Sequence, residues 1–211
     1  MANYHPSDEL LMEFSAGHKH DPLGILVACH LETCTHCRER IRTFEQLGGE
    51  LLQETEPQAV SSHLLQDILS RLSEKAPVAT VDHGDKRIPK PLRRFVPSFY
   101  DGLPWKGFSK NIQEFTLPFS NKQYTAKFYK IAAGKELPQH THRGNEFTLV
   151  MSGKFSDEAG DYQKGDFILA DTSTHHQPRA GMEQDCICFA VLDAPLKFTG
   201  FFGRMLNPFM R

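Results

Sequence analysis

The chain is poor in the features that would send it to a membrane or out of the cell. Its 211 residues contain no hydrophobic run near the ~20 residues of a membrane span. The opening Met1-Ala2-Asn3-Tyr4-His5-Pro6 lacks the basic-then-apolar pattern of a signal peptide, so a cytoplasmic location is expected. Cysteines are few and odd in number, five in all: Cys29, Cys34, Cys37, Cys186 and Cys188. That is not the framework of a disulfide-stapled secreted domain, and reduced thiols, some of them metal-bound, are expected instead. There is one tryptophan, Trp105, and neither an internal repeat nor a low-complexity tract.

Charge is close to balanced overall, at a formal −2, but unevenly placed. Residues 1–75 hold six Lys or Arg against twelve Asp or Glu, net −6, which leaves +4 for the remainder. An acidic amino-terminal part is unsuited to phosphate backbones and suits a basic protein partner better. Residues 76–97 carry Pro77, Pro89, Pro91 and Pro97, with Gly84 and the cations Lys86, Arg87, Lys90, Arg93 and Arg94. Such a stretch cannot continue a helix and reads as a linker with little to bury. The expected organisation is therefore a helical domain over 1–75, a Pro-rich basic linker over 76–97 and a second domain over 98–211.

Before the linker the apolar residues recur at helical spacing. Pro6 and Ser7 open a short helix through Leu10, Leu11 and Phe14 that Gly17 closes. Asp21 and Pro22 begin a second, with Leu23, Leu26, Val27 and His30 on one side. A third starts near Cys34 with Cys37, Ile41, Phe44, Gly48 and Leu51 as a stripe, and a fourth follows Ser61 with Leu64, Leu65, Ile68, Leu69 and Leu72.

Helices this short make a small core, and domains of under about 80 residues commonly need a metal or disulfide staple. His30-x3-Cys34-x2-Cys37 supplies one: two cysteines one turn apart at a helix start, with a histidine at the end of the preceding helix. Zinc takes four ligands in a tetrahedron. His5 is the candidate for the fourth, with His18, His20 and His36 as rivals, while Cys29 points away from His30 and is expected in the core.

After about residue 98 the pattern turns to alternation, as in Tyr124 to Ile131 and Glu146 to Met151, with Gly and Pro between. This is the signature of a sandwich or barrel. His140, His142 and Glu146 share an even register, which would aim all three at one face of a strand, and together they are positioned to hold a metal ion. Ligand type alone leaves zinc, manganese, iron and nickel open. Cys186 and Cys188 also share a face; the run Ile187 to Leu192 reads as an interior strand, so packing is expected, with a redox pair as the alternative.

These motifs carry family resemblances. An early histidine followed by His30-x3-Cys34-x2-Cys37 in a small acidic helical domain resembles the zinc-binding anti-sigma domain of bacterial anti-sigma factors. Gly134-x5-His140-x-His142-x3-Glu146-x6-Gly153 resembles the first cupin motif. Gly165 to His176 resembles the second, with Asp171 where proline is usual and Ser173 where glycine is. His176 falls at the family's ligand position, and His175 is its less fitting neighbour.

Together the two halves are similar to the ChrR-type anti-sigma factors over nearly the whole length. The resemblance implies a two-domain α+β protein, a zinc-stapled helical domain followed by an all-β cupin, or jelly-roll barrel. It implies zinc in two sites, one at His5, His30, Cys34 and Cys37 and a second at His140, His142, Glu146 and His176. It implies further that residues 1–75 bind an extracytoplasmic-function-type sigma factor, which is released when the cupin responds to singlet oxygen or related oxidants. The rival is a metal-dependent cupin dioxygenase or isomerase with a helical assembly domain. A zinc-dependent DNA-binding regulator is disfavoured by the acidic helical part and the lack of a basic recognition helix.

Overall fold

The structure, a computed structural model, describes residues 2–18, 22–72, 85–96, 99–120 and 123–199. Asp21, His20, the linker positions Pro77, Gly84 and Pro97, and the tail past residue 199 lie outside these.

The four expected helices form. They are α1 (Asp8–Ser15), α2 (Leu23–Thr33), α3 (Thr35–Gln53) and α4 (Leu64–Arg71). Ser7 caps α1 by accepting the Leu10 N–H at 3.3 Å, and Gly17, at φ 76°, ends it in the left-handed region that glycine enters without penalty. Cys34 caps α3 with its sulfur, which accepts the Cys37 N–H at 3.4 Å. The apolar stripe of α3 is buried only at Cys37 and Ile41, and α4 buries no residue at all.

Twelve strands follow: β1 (Lys106–Ser109), β2 (Ile112–Thr116), β3 (Thr125–Ile131), β4 (His140–His142), β5 (Glu146–Ser152), β6 (Lys154–Asp157), β7 (Gly160–Gln163), β8 (Phe167–Ala170), β9 (His175–His176), β10 (Arg179–Ala180), β11 (Cys186–Leu192) and β12 (Leu196–Phe198). They make a six-stranded sheet in the order β1-β2-β3-β11-β5-β8 and two three-stranded sheets, β10-β6-β7 and β12-β4-β9. Every residue of β11 is buried, as expected of a strand covered on both faces.

Two expectations need correction. His140 and His142 stand on β4 and Glu146 opens β5, which belongs to a different sheet, so the three do not share one strand face. The chain turns between them because Asp193 accepts the Asn145 backbone N–H at 2.7 Å and its side-chain amide at 2.9 Å. The other correction concerns the basic, Pro-rich stretch, whose described part, 85–96, does bury apolar side chains. Ile88, Leu92 and Val96 are 1%, 0% and 5% exposed, because steps of four residues around a single 3-10 turn at Lys90–Leu92 put them on one side. Its cations stay outside, with Arg87 stacked 3.8 Å over the Phe99 ring and paired to Asp85.

As a result the helical and β parts share one core. Leu26 and Val27 of α2, Ile88 and Leu92, and Phe128 and Phe189 of β3 and β11 belong to a single buried cluster. Burial of each such side chain is worth about 1.5–3 kcal/mol, so this shared core fixes how the two metal-ligand clusters sit relative to each other.

Candidate metal centres

The first cluster gathers at the junction of α2 and α3. Cys34 and Cys37 come from the cap and first turn of α3, His30 from the last turn of α2, and His5 from the segment before α1. His5 Nδ1 lies 3.4 Å from Cys34 Sγ and 3.5 Å from Cys37 Sγ, and His30 Nε2 lies 3.2 Å from Cys37 Sγ. All four donor atoms fall within 4.8 Å of one another. A tetrahedron built on ordinary zinc bond lengths has edges of about 3.4–3.8 Å, so the set fits one ion. Of the rival histidines, His36 only packs its ring against His5, and neither it nor His18 belongs to the set. Cys29 is buried in the core.

Electrostatics suit the same purpose. Burial drops His30 to about 4, so it is a neutral imidazole with a free lone pair near neutral pH. Its Nδ1 donates to the Gly165 carbonyl at 2.8 Å, which leaves Nε2 aimed at the thiols. Burial pushes the Cys37 thiol up to about 12, so a thiolate there needs a cation beside it.

The second cluster joins β4 to β9. His140 Nε2 and His142 Nε2 approach His176 Nε2 at 3.1 and 3.2 Å. His140 Nδ1 donates to the Pro138 carbonyl at 2.9 Å and His176 Nδ1 to Asp157 Oδ2 at 2.7 Å. Both Nε2 atoms therefore present lone pairs to each other at close range, an arrangement that a bound cation stabilises. Burial lowers His140 to about 4 and His142 to about 3, again favouring neutral ligands.

Glu146 stands beside these histidines but outside the converged set. Its Oε1 accepts the Thr148 hydroxyl at 3.0 Å, and its Oε2 lies 3.6 Å from His142 Nδ1; among the described residues neither of those two buried atoms has a hydrogen-bond partner. Burial raises the Glu146 carboxyl above its ordinary value, although the Thr148 hydroxyl and the Lys127 ammonium act the other way.

His175 points elsewhere, toward Thr199 Oγ1 at 3.0 Å. The unusual Asp171 and Ser173 make a sound turn, because Asp171 Oδ1 accepts from Ser173 N and Oγ and from Thr174 Oγ1. Gly134 and Gly153 of the first motif sit at φ 68° and 72°. Cys186 and Cys188 are buried with sulfurs 3.7 Å apart, and the Cys186 thiol together with burial holds Cys188 well above its ordinary value, which favours packing over thiolate chemistry. The outer partners Asp157, Gly165 and Asp166 were not singled out from sequence, although the last two open the second cupin motif.

An all-β domain of this topology, fused by a shared core to short helices that carry a His2Cys2 cluster, defines a protein with two candidate metal centres of different softness. Residues 98–195 match the family described as the ChrR cupin-like domain. The anti-sigma-E factor ChrR of Cereibacter sphaeroides is 34% identical over 209 residues, spanning 99% of this chain and 98% of that protein. The crystal structure of Rhodobacter sphaeroides SigE in complex with the anti-sigma ChrR contains a chain that superposes with a TM-score of 0.80 at 32% identity, covering 91% of this chain and all of that one. The chain belongs to the ChrR family of anti-sigma factors. No helix among the described residues is long and apolar enough to cross a membrane.

Proposed function

We propose that this protein is a cytoplasmic anti-sigma factor that holds an extracytoplasmic-function-type sigma factor through residues 1–75 and releases it under oxidative stress, by singlet oxygen or derived peroxides, through the cupin. The observation that carries the reading is the unburied apolar face of α3 and α4. Leu51, Leu65, Leu69 and Leu72 are 59%, 66%, 54% and 72% exposed, yet they repeat at helical spacing as core residues would. Exposed apolar side chains of this kind mark a protein-binding surface. The same two helices carry Glu45, Glu50 and Asp67, which suit a basic partner. A sigma factor fits, since the C. sphaeroides relative is an anti-sigma-E factor and the superposed chain was crystallised with SigE.

Zinc at His5, His30, Cys34 and Cys37 would lock α1, α2 and α3 together and so present that face; soft thiolates select it. His140, His142 and His176 would hold the second ion, with Glu146 turning its unpartnered Oε2 in as the fourth ligand. Zinc is our assignment there as well. Regulation over catalysis is supported by the anti-sigma relatives, which match nearly the whole of this chain.

The test is co-purification with the extracytoplasmic-function-type sigma factors of its own cell, using Leu65→Asp and Leu69→Asp. Both positions are exposed, so the fold should persist while affinity falls by about 30-fold or more, as at an interface hot spot. Unchanged affinity in both variants would exclude this face. The sensing half is tested by His140→Ala with Glu146→Ala, which should leave sigma binding intact and abolish release by singlet oxygen.

A further inference from the structure

One turn of the cupin reaches into the helical metal cluster from two sides. Between β7 and β8, Gly165 takes the Nδ1 hydrogen of His30 on its carbonyl. The next residue, Asp166, is fully buried and accepts the backbone N–H groups of Asn3, Tyr4 and Gln163 at 2.5, 3.2 and 2.7 Å. Phe167 then donates its N–H to the Tyr4 carbonyl at 3.0 Å and sets its ring edge-on to His30. Two of the four candidate ligands, His5 by way of its neighbours and His30 directly, are thus held by cupin backbone and one cupin carboxylate.

The same hairpin reaches the other cluster. The Tyr4 ring packs 4.8 Å from that of Tyr162 on β7, and the Tyr4 hydroxyl lies so close over Gly160 that a Cβ there would meet it at 2.6 Å. Asp157 Oδ1 accepts the Gly160 backbone N–H at 3.2 Å, beneath the Tyr4 hydroxyl, and Asp157 Oδ2 accepts from His176 Nδ1 at 2.7 Å. A path of contacts therefore runs from His176 through Asp157 and Gly160 to Tyr4, the neighbour of His5.

We propose that the β7–β8 turn is the outer coordination shell of the helical metal centre, with Asp166 and Gly165 as positioning residues, and that Tyr4, Gly160 and Asp157 extend this shell to His176, so that the two centres bind their ions cooperatively. Outer-shell partners of metal ligands typically alter affinity by about 10–100-fold, and coupling between sites spans about 5–150-fold. The proposal rests on reading both clusters as metal sites. It gives the cupin a physical route to the helices that does not depend on what the cupin senses.

Cobalt titration of the full chain tests it, because sulfur-to-cobalt charge transfer reports the Cys34/Cys37 centre alone. Asp166→Asn should weaken cobalt binding there about 10–100-fold, and His176→Ala, which disables only the distant cluster, should weaken it by about fivefold or more. Tyr4→Phe keeps the ring and removes the hydroxyl that lies over Gly160. Its effect should be present in the wild-type background and vanish in His176→Ala, whereas a purely structural role would give additive effects. If Asp166→Asn does not fold, the His176→Ala and Tyr4→Phe pair decides alone. Cobalt affinity unmoved by His176→Ala, or additivity in the double variant, overturns the coupling. A wild-type chain with no charge-transfer band overturns the metal reading beneath it.

Discussion

The imidazole of His30 donates to the carbonyl of Gly165, 135 residues further along the chain, at 2.8 Å. One end of that ring faces the two cysteines of the helical part and the other end is held by the cupin, so His30 is oriented by both halves of the protein. A candidate metal ligand and a contact between the helical and β parts therefore meet in one side chain.

Removal of the helical metal should loosen the whole molecule and not only α1–α3. Cys37→Ser, or exhaustive chelation, should lower the melting temperature; a loss of about 3 kcal/mol corresponds to about 6–12 °C for a chain of this size. Differential scanning calorimetry with metal analysis checks this, and a melting curve indifferent to chelation would remove the staple from the account.

The metal-free chain should lose stability on acidification. Burial holds His30 and His140 at about 4 and His142 at about 3 in the folded state, against an ordinary value near 6.5. Between those values the unfolded chain binds more protons than the folded one, so stability is complete above about pH 6.5 and falls as pH drops toward 4. Urea midpoints of chelated protein at pH 7.5 and pH 5 measure it; a midpoint equal or higher at pH 5 would contradict the burial of these rings.

Within the cupin cluster the residues should differ in weight. His140→Ala, His142→Ala and His176→Ala should each abolish metal binding there, since their Nε2 atoms converge. Glu146→Gln should lower affinity by only about 10–100-fold, because its carboxylate stands beside the set. Metal content after dialysis against graded chelator ranks the four, and a Glu146→Gln loss equal to that of the histidines would make the carboxylate an indispensable ligand.

Gly153→Ala should destabilise the fold by about 1–3 kcal/mol, through a left-handed backbone that alanine resists. A Cβ at this position would also meet the Asp185 carbonyl oxygen at 2.5 Å. Chemical denaturation gives the value, and a neutral substitution would mean that the β5–β6 turn relaxes freely.

Much of this was legible in the chain because it is local. A Cys-x2-Cys pair at a helix start must lie on adjacent turns, and a histidine four residues before the first cysteine must face them across a short turn. Alternation disclosed β3 and β5, an unbroken apolar run disclosed β11, and the motif glycines stand where positive φ is required. What misled was also local: the prolines and cations of residues 85–96 hid the four-residue spacing of Ile88, Leu92 and Val96, and an even register across a turn suggested one strand where there are two.

By itself, then, the sequence determined the helices and strands, the nearness of His30, Cys34 and Cys37, and the family. Spacing along a helix or strand is fixed by backbone periodicity and needs no partner from elsewhere. Only the tertiary structure decided that His176 meets His140, that Glu146 stands aside, that the face of α4 remains open, and that Gly165 and Asp166 hydrogen-bond His30 and the backbone of Asn3 and Tyr4. Each of these depends on residues far apart in sequence, brought together by sheet register and a shared core.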